Sequence, residues 1–296
     1  MRTSLFKKIT IVVFALVVIS AIVFLLVYVN KQDKIPTSPV EQNIQKYNTE
    51  IIGKSVEGRN IEAVTFGDGD TRIMFVGGVH GGYEYNSVLL AYKLIDYLKA
   101  NQDIIPSGLS VTVVPSANPD GLYEVTGKDG RFSITDVSEN TKEGLGRFNA
   151  NNVDINRNFD CKWKPKSKWK VNVVSAGSAP FSEPEAVAIR DFVLRNNPVA
   201  VVFWHSQANA VYASECEEGI LPETVDIMNV YSSAAGYAPV DSFDAYEVTG
   251  DAEGWLASIN IPAITVELKT HKDVEWEKNL SGVKALFEYY KQPRVY

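Results

Sequence analysis

The alternation of apolar and polar positions predicts that strands and helices alternate along this chain. Short apolar runs rich in branched and aromatic side chains, such as residues 72–76, 109–114 and 199–204, are typical of buried strands. Apolar residues at helical spacing over residues 86–100 and 274–290 predict amphipathic helices. Elements that alternate in this way predict the α/β class, with a sheet that is largely buried.

Weaker local signals predict the remaining elements. Ser182-Glu183-Pro184-Glu185 is typical of a capping box and predicts a helix that continues to about residue 196. Residues 121–180 are rich in Gly, Asn, Ser and Lys, which predicts long loops, and such loops are more often functional than idle. The other predicted elements are two strand-like pieces within residues 51–66, a helix over residues 222–236 and a strand over residues 264–266.

An uninterrupted apolar run without charge occupies residues 9–29 and is long enough to cross a hydrocarbon core of about 30 Å. A cleavable signal peptide would have an apolar core of roughly 7 to 15 residues that ends in small residues. Here the run is longer, and polar residues follow it. We therefore predict an uncleaved transmembrane anchor, a linker over residues 30–45 and one folded domain over residues 46–296.

The charge distribution predicts the orientation of the anchor. Arg2, Lys7 and Lys8 precede the apolar run without any acid, which places residues 1–8 in the cytoplasm and the domain outside. The first 30 residues hold 3 of the 29 basic residues and none of the 36 acidic ones, so the remainder carries a net charge of −10. That balance argues against nucleic acid or a polyanionic surface as partner.

The only two cysteines of the chain are Cys161 and Cys216. An extracytoplasmic location would permit a disulfide between them. Two separate thiols, buried as small apolar side chains, are an equally good interpretation.

Two of the three histidines lie directly after predicted strands, where a sheet edge would present both to one crevice. His80 shares a glycine-rich turn with Glu84, and His205 follows the most hydrophobic strand of the domain. Two imidazoles and one carboxylate leave a fourth position for water, as in a catalytic zinc site. Glu267 also ends a strand and is a candidate general base. A polar loop with one hydrogen-bonded histidine is the alternative for the turn alone.

Five motifs follow one another along the chain. They are His80 with Glu84, residues 153–159 (Val-Asp-Ile-Asn-Arg-Asn-Phe), His205-Ser206, Tyr246 nine positions before Trp255, and Thr265-Val266-Glu267-Leu268. Their order resembles that of the zinc carboxypeptidases of the carboxypeptidase A type, with the pair His80 and Glu84 matched to that family's His-x-x-Glu motif. The chain is most similar to short bacterial members without a pro-domain, such as murein peptide amidases and γ-D-glutamyl-diamino acid endopeptidases.

The resemblance implies a single three-layer α/β/α domain with a mixed, mostly parallel twisted sheet, and it implies a role for each matched residue. One zinc ion per chain would be bound by His80, Glu84 and His205. Glu267 would be the general base and proton shuttle. The other implied roles are Asn156 and Arg157 as the grip on the substrate's terminal carboxylate, Tyr246 as a donor that closes over it, and Arg147, with Arg131 as a competitor, as the oxyanion donor.

Glu253, two positions before Trp255, is the candidate for substrate selection. In the zinc carboxypeptidases that this chain resembles, the matching position is acidic in enzymes that select substrates with a basic end. The resemblance therefore implies a preference for lysine, arginine or diaminopimelate. Exposure to solvent on a short helix is the alternative. The remaining histidine, His271, is predicted to be an exposed loop residue. Trp163 and Trp169, which stand among five lysines, are assigned to a solvated loop rather than to a glycan-contact surface.

Three functional interpretations remain open at this level. The first is a zinc carboxypeptidase or cell-wall endopeptidase whose substrate is a peptide or muropeptide with a free carboxylate. The second is a zinc amide hydrolase of N-acyl amino acids, although the combination of the Asn-Arg, Tyr and Thr-Val-Glu-Leu motifs favours the peptidase. The third is a non-catalytic, membrane-tethered peptide-binding module, which would not need every catalytic position to be filled.

Overall fold

The computed structural model describes residues 2–32, 47–138 and 142–291, and the chain divides into two compact units, Met1–Gln45 and Lys46–Tyr296. The first unit contains helix α1 (Arg2–Gln32). Within it, Val12–Val29 is long and apolar enough to cross a membrane, and these side chains are exposed. Most of the predicted linker, residues 33–45, lies outside the described residues.

The second unit is built on an eight-stranded sheet with the order β1-β2-β4-β3-β7-β12-β8-β11. Four of its strand pairs are parallel, namely β4 with β3, β3 with β7, β7 with β12 and β8 with β11. The strands in the described part of the chain are β1 (Tyr47–Lys54), β2 (Asn60–Phe66), β3 (Thr71–Val76), β4 (Leu109–Val114), β5 (Lys166–Trp169), β6 (Asn172–Ser175), β7 (Ala200–Ser206), β8 (Ala210–Ala213), β9 (Glu215–Cys216), β10 (Gly219–Ile220), β11 (Ala238–Val240) and β12 (Ala263–Leu268).

Helices cover both faces of this sheet, so the fold has three layers. One face buries Phe75, Trp204 and Val266 under α2, α5 and α7, and the other buries Met74, Phe203 and Ala263 under α4 and α6. The helices of this unit are α2 (Tyr85–Ala100), α3 (Pro119–Thr126), α4 (Pro184–Asn196), α5 (Pro222–Ala235), α6 (Ala252–Ser258) and α7 (Trp276–Lys291).

The predicted α/β class and the mixed sheet are confirmed, and the long elements lie close to their predicted bounds. The predicted start of α4 was wrong in detail. The capping box does not form as predicted, because α4 begins at Pro184 with Glu183 at its N-cap and without a side-chain cap. Strands β8 and β11, at one end of the sheet, were not predicted, because elements of three or four residues show too little periodicity.

The segment predicted as long loops contains a β-hairpin. Strands β5 and β6 pair antiparallel, with Lys168 opposite Val173 and Trp169 opposite Asn172. Side chains alternate along β5, so that Ser167 and Trp169 are buried while Lys166 and Lys168 are exposed. The solvated-loop assignment was therefore wrong for this stretch, although its lysines do lie in solvent.

The two cysteines form a disulfide, which decides between the two alternatives. Cys161 and Cys216 are joined with 6.0 Å between their Cα atoms, and they are 55 positions apart in the sequence. Both residues are buried. The bond ties the loop after Arg157 to strand β9, next to the cavity described below.

Replacing both cysteines with serine is expected to lower the free energy of unfolding by about 4 kcal/mol, because the unfolded chain would no longer be cross-linked across a 55-residue separation. Urea denaturation of the double variant measures this loss. Reduced wild-type protein is the control and is expected to show the same loss. The prediction would be contradicted if the double variant and the reduced wild-type protein were both as stable as the oxidised protein.

Candidate active site

The candidate residues converge at the carboxyl ends of three neighbouring parallel strands, β3, β7 and β12. In the register of β7 with β12, His205 stands directly opposite Glu267. His80 follows β3, which is the other neighbour of β7. The crevice beyond the carboxyl ends of parallel strands is where open α/β sheets bind ligands.

The turn that carries His80 and Glu84 depends on glycine. Three residues, not two, separate His80 from Glu84, so the match to a His-x-x-Glu motif was wrong by one position. A short 3₁₀ helix, Gly81–Glu84, accommodates the extra residue. Gly81 has a φ of +46°, and a Cβ there would lie 2.6 Å from the carbonyl oxygen of Gly146. The turn therefore packs directly against the loop that carries Arg147.

His80, Glu84 and His205 form a buried cluster that could hold a metal ion. The Nδ1 atom of His80 lies 2.8 Å from Glu84 Oε1. The Nδ1 atom of His205 lies 3.0 Å from Glu84 Oε2 and 3.2 Å from His80 Nδ1. Tetrahedral zinc with bonds of about 2.0–2.1 Å separates its ligand atoms by about 3.3 Å, so the donor atoms fit zinc.

The electrostatics of the cluster favour a positive charge. Burial alone would raise the pKa of Glu84, but His80 and His205 outweigh it and hold this pKa well below its usual range. Burial alone would lower the pKa of His205, yet the carboxylates of Glu84 and Glu253 raise it well above its ordinary value. A cation bound between these side chains would serve the same electrostatic function as the proton on His205.

Asp154 supports the cluster from behind, a role that the sequence motifs did not predict. Its Oδ1 atom lies 3.5 Å from His80 Nε2. Its Oδ2 atom accepts hydrogen bonds from Arg147 Nε at 3.0 Å and Nη2 at 2.8 Å. Burial alone would raise the pKa of Asp154, but Arg147 and Arg157 hold it well below its usual range. Carboxylates often support metal-binding histidines through the second ring nitrogen, but nothing in the Val153-Asp154 motif indicates that Asp154 contacts His80.

Arg147 lies at the cluster, whereas its competitor Arg131 does not. Arg147 is buried, its guanidinium carbon lies 4.6 Å from the centre of the Trp169 ring, and its Nη1 atom lies 3.9 Å from Glu84 Oε1. Arg131 instead pairs with Asp96 on the surface, at 2.7 Å and 2.9 Å. Of the two arginines, only Arg147 could act on a ligand of the cluster.

A cavity of about 370 Å³ opens beside the cluster and is lined by the other predicted site residues. The Oδ1 atom of Asn156 accepts a hydrogen bond from the Ala252 N–H, so the side-chain amide nitrogen of Asn156 points away from Ala252. Arg157 donates from Nε and Nη2 to the carbonyl oxygen of Lys168, so the plane of its guanidinium is held by backbone. Both side chains are buried in the cavity wall as a preformed pair of donors.

Tyr246 lies across the same cavity, on the loop between β11 and α6. Its ring packs edge-on against Phe243, with 4.9 Å between ring centres. Burial raises the pKa of Tyr246, against the opposing effect of Arg157, so the hydroxyl remains a proton donor. The loop around it is largely exposed, which leaves the ring able to move.

Glu253 is buried in the cavity wall on α6, so the alternative of a solvent-facing residue was wrong. Its Oε1 atom accepts a hydrogen bond from Thr265 at 3.1 Å and lies 3.2 Å from His205 Nε2. Its Oε2 atom has no hydrogen-bond partner among the described residues. Burial would raise the pKa of Glu253, but His205 outweighs it and lowers this pKa, so the carboxylate is charged.

Glu267 also lines the cavity, and its Oε2 atom has no hydrogen-bond partner in the described part of the chain. Burial, together with the negative charges of Glu84 and Glu253, raises its pKa to about 8. A cation bound at the cluster would lower this pKa again. The carboxyl group is thereby placed to exchange a proton near neutral pH.

His271 is not the exposed loop residue that the sequence analysis predicted. It is half-buried, its Nδ1 atom lies 2.7 Å from Ser206 Oγ, and its ring centre lies 4.6 Å from that of Tyr83. Burial lowers its pKa, which favours the neutral imidazole. Sequence gave no sign of this contact, because it depends on the turn after β12 folding back onto β7.

Replacing Asp154 with asparagine is expected to weaken zinc binding by about 10- to 100-fold, because His80 would lose the carboxylate beside its second nitrogen. Competition with a chromophoric chelator measures the affinity, and circular dichroism checks that the variant is folded. Asp160→Asn, an exposed position nearby in the chain, is the matched control and should bind as wild type does. Equal affinities for both variants would contradict the role of Asp154.

The comparisons with known sequences agree on one family. The profile of the family described as Zinc carboxypeptidase matches residues 40–283. Gamma-D-glutamyl-L-diamino acid endopeptidase 1 of Lysinibacillus sphaericus is 27% identical over 81% of this chain and 67% of its own length. Murein peptide amidase A of Escherichia coli K12 is 24% identical over 75% of this chain and 81% of its own length.

Solved structures show the same fold. The murein-tripeptide amidase MpaA of Escherichia coli O157 aligns with a TM-score of 0.58 at 23% identity, over 84% of this chain and 93% of that one. Bovine thrombin-activatable fibrinolysis inhibitor aligns with a TM-score of 0.62 at 20% identity, over 83% and 88%. The profile match covers most of the chain, and the buried cluster has the donor set that zinc requires. The chain therefore belongs to the zinc carboxypeptidase family and is a zinc-dependent peptide hydrolase.

Proposed function

We propose that this chain is a membrane-anchored, extracytoplasmic metallopeptidase that hydrolyses a peptide or amide bond next to a free carboxylate. The proposal rests on the set of residues that one cavity brings together. Its wall contains the two histidines of the metal cluster, Glu267, and the donor pair Asn156 and Arg157. A scissile bond at the cluster and a terminal carboxylate at the donor pair can thus be held together.

Each group around the scissile bond has a proposed task. His80, Glu84 and His205 would hold the zinc ion, which would supply Lewis acidity toward water and the substrate carbonyl. Glu267 takes a proton from the attacking water and returns it to the leaving amine. Arg147, whose Nη1 atom points toward the cluster while Asp154 holds the rest of its guanidinium, stabilises the developing negative charge.

The carboxylate of the substrate is proposed to lie against Asn156 and Arg157. A planar guanidinium that backbone carbonyls already hold in place binds a carboxylate with little loss of side-chain entropy. Tyr246 closes over this group as a hydrogen-bond donor, which its raised pKa supports.

The rest of the cavity favours a cationic substrate side chain. Five carboxylates line it, whereas Arg157 and Lys162 are its only cationic lining residues besides histidine in the described part of the chain. Glu253 presents the unpaired atom Oε2, and Asp251 beside it has a pKa raised to about 6 by burial and by the charge of Glu253. A substrate ammonium would relieve both effects. The acidic lining residues are Glu215, Glu247, Asp251, Glu253 and Glu267.

Diamino acids have the chemistry that this cavity would accept, since one end offers a carboxylate and the side chain offers an ammonium. Two relatives carry names that refer to diamino acids and to murein peptides. We therefore propose peptidoglycan stem peptides, and other peptides that end in a basic residue, as the substrate class.

The proposed location rests on the N-terminal helix. Residues 9–29 would cross the membrane, residues 30–45 would link the anchor to the catalytic domain of residues 46–296, and residues 1–8 would lie in the cytoplasm. The apolar window Val12–Val29 and the three basic residues before it support this orientation.

Replacing Glu267 with glutamine is expected to lower kcat by about 10²- to 10⁴-fold with zinc content unchanged, because the amide cannot accept the proton. Residues 36–296 would be assayed on a lysine-ended peptide, a diaminopimelate-containing muropeptide and an N-acyl amino acid. Chelation should abolish wild-type activity, and added zinc should restore it.

Glu277→Gln, an exposed position on α7, is the matched control and should retain full activity. Full activity in Glu267→Gln would exclude Glu267 as the base. Faster turnover of the acyl amino acid than of either peptide would instead indicate an amide hydrolase.

Replacing Glu253 with glutamine or alanine is expected to reduce the preference for lysine-ended over leucine-ended peptides by about tenfold or more, because the cation would lose its charged partner. The ratio of kcat/KM for the two peptides measures this preference. Zinc content is measured in parallel, since Glu253 also lies against His205. An unchanged ratio with zinc retained would rule out Glu253 as the selective residue.

A further inference from the structure

The β5–β6 hairpin has an exposed face that combines lysines with valines, and we call it the hairpin face. It consists of Lys166, Lys168, Val171 and Val173. Val171 at the tip is 94% exposed and Val173 is 69% exposed, more than any other large apolar side chain described in the second unit. Lys168 stands directly opposite Val173 in the register, so the basic and apolar side chains share one surface.

The charge of this face differs from that of its surroundings. Five lysines occur at every second position from Lys162 to Lys170, whereas the chain beyond its first 30 residues carries a net charge of −10. Lys164 pairs with Glu247 and Lys170 with Glu143. Lys166 and Lys168 form no salt bridge with any described residue. An anionic surface would therefore repel most of the domain and attract this face.

The opposite side of the hairpin is fixed to the domain. Trp169 is buried, and its ring centre lies 5.3 Å from that of Tyr83 and 6.4 Å from that of Phe148. Ser167 accepts a hydrogen bond from Thr249 at 2.8 Å. The carbonyl oxygen of Lys168 accepts the hydrogen bonds from Arg157 described above. The hairpin face is thus the outer surface of a fixed element that packs against Arg157, a residue of the cavity wall.

We propose that the hairpin face docks on the anionic surface of a lipid bilayer. Lysines near such a surface gain electrostatic energy, and exposed valines are removed from water when they enter the headgroup boundary. A soluble or wall-bound polyanion would satisfy the lysines but would leave the valines exposed. Docking would place the hairpin, whose inner side holds Arg157 of the cavity wall, at the membrane surface.

The proposal differs from the expectation, drawn from net charge alone, which argues against a polyanionic surface as partner. A short hairpin gives only weak affinity by itself, because two valines and two lysines contribute little area and charge. A chain tethered to the same bilayer would meet the surface at high effective concentration, so weak docking would suffice to orient the domain.

Vesicle binding of residues 36–296, which contain the whole second unit and both its apolar cores, tests the proposal without the N-terminal helix. Binding is expected to vesicles of phosphatidylglycerol and phosphatidylcholine, to be absent with phosphatidylcholine alone, and to be lost in about 0.5 M salt. Lys166→Ser with Lys168→Ser should weaken binding about fivefold for each lysine, because each contributes about 1 kcal/mol. The double substitution Val171→Ser with Val173→Ser should weaken vesicle binding by about as much as the double lysine substitution does.

The matched controls are Leu194→Ser, an exposed apolar residue on α4, and Lys93→Ser with Lys99→Ser on α2, and each is expected to bind as wild type does. Melting temperatures show whether each variant is folded. A dye attached at Val171→Cys should shift to the blue on adding anionic vesicles, whereas one at Leu194→Cys should not. Both native cysteines are in the disulfide, so each label is specific.

Two results would overturn the proposal. One is that the wild-type domain does not bind anionic vesicles. This outcome counts equally if the domain binds an isolated anionic wall polymer instead. The other is vesicle binding that the hairpin variants and the control variants share equally. Because none of these measurements involves hydrolysis, failure here and failure of the proposed peptidase activity are distinguishable.

Discussion

The buried carboxylate of Asp154 is the interaction on which the candidate site depends. It lies between the guanidinium of Arg147 and the second nitrogen of His80, so it links an oxyanion candidate to a metal ligand. A buried ion pair stabilises a site only when its hydrogen bonds are nearly complete, and Asp154 also accepts from the Asn156 N–H. Removing this one carboxylate would take away the hydrogen bonds that hold the buried Arg147 and would leave the histidine without its support.

Around this support, the cavity contains two opposite electrostatic regions. Asn156 and Arg157 are the donors proposed for the substrate carboxylate, while Glu253 and Asp251 form an acidic region close by. Burial and the negative charges of Glu84 and Glu253 raise the pKa of Glu267. In the proposed mechanism, a substrate ammonium at Glu253 would reduce the negative charge that Glu267 experiences. Binding of the preferred side chain would therefore also adjust the proposed general base.

The hairpin of β5 and β6 connects the cavity to the surface of the domain. Its inner side supplies the carbonyl oxygen that orients Arg157 and the indole that covers Arg147. Its outer side presents lysines and exposed valines. Alternation along a strand allows both sets to occur in one short sequence, because neighbouring side chains point to opposite faces. The stretch assigned to a solvated loop in fact contains a hairpin that packs against Arg157 and Arg147.

The sequence by itself determined the α/β class, the long helices and strands, and the candidates for the metal cluster, because these depend on local periodicity and on ordered motifs. It also restricted the cysteines to one possible pairing. Tertiary structure alone decided that this disulfide forms, that Arg147 and not Arg131 lies at the cluster, and that Glu253 is buried beside His205. It likewise placed His271 against Ser206 and revealed Asp154 behind His80. These contacts join residues from different elements, and their distances follow from how the strands and loops pack, which no local pattern encodes.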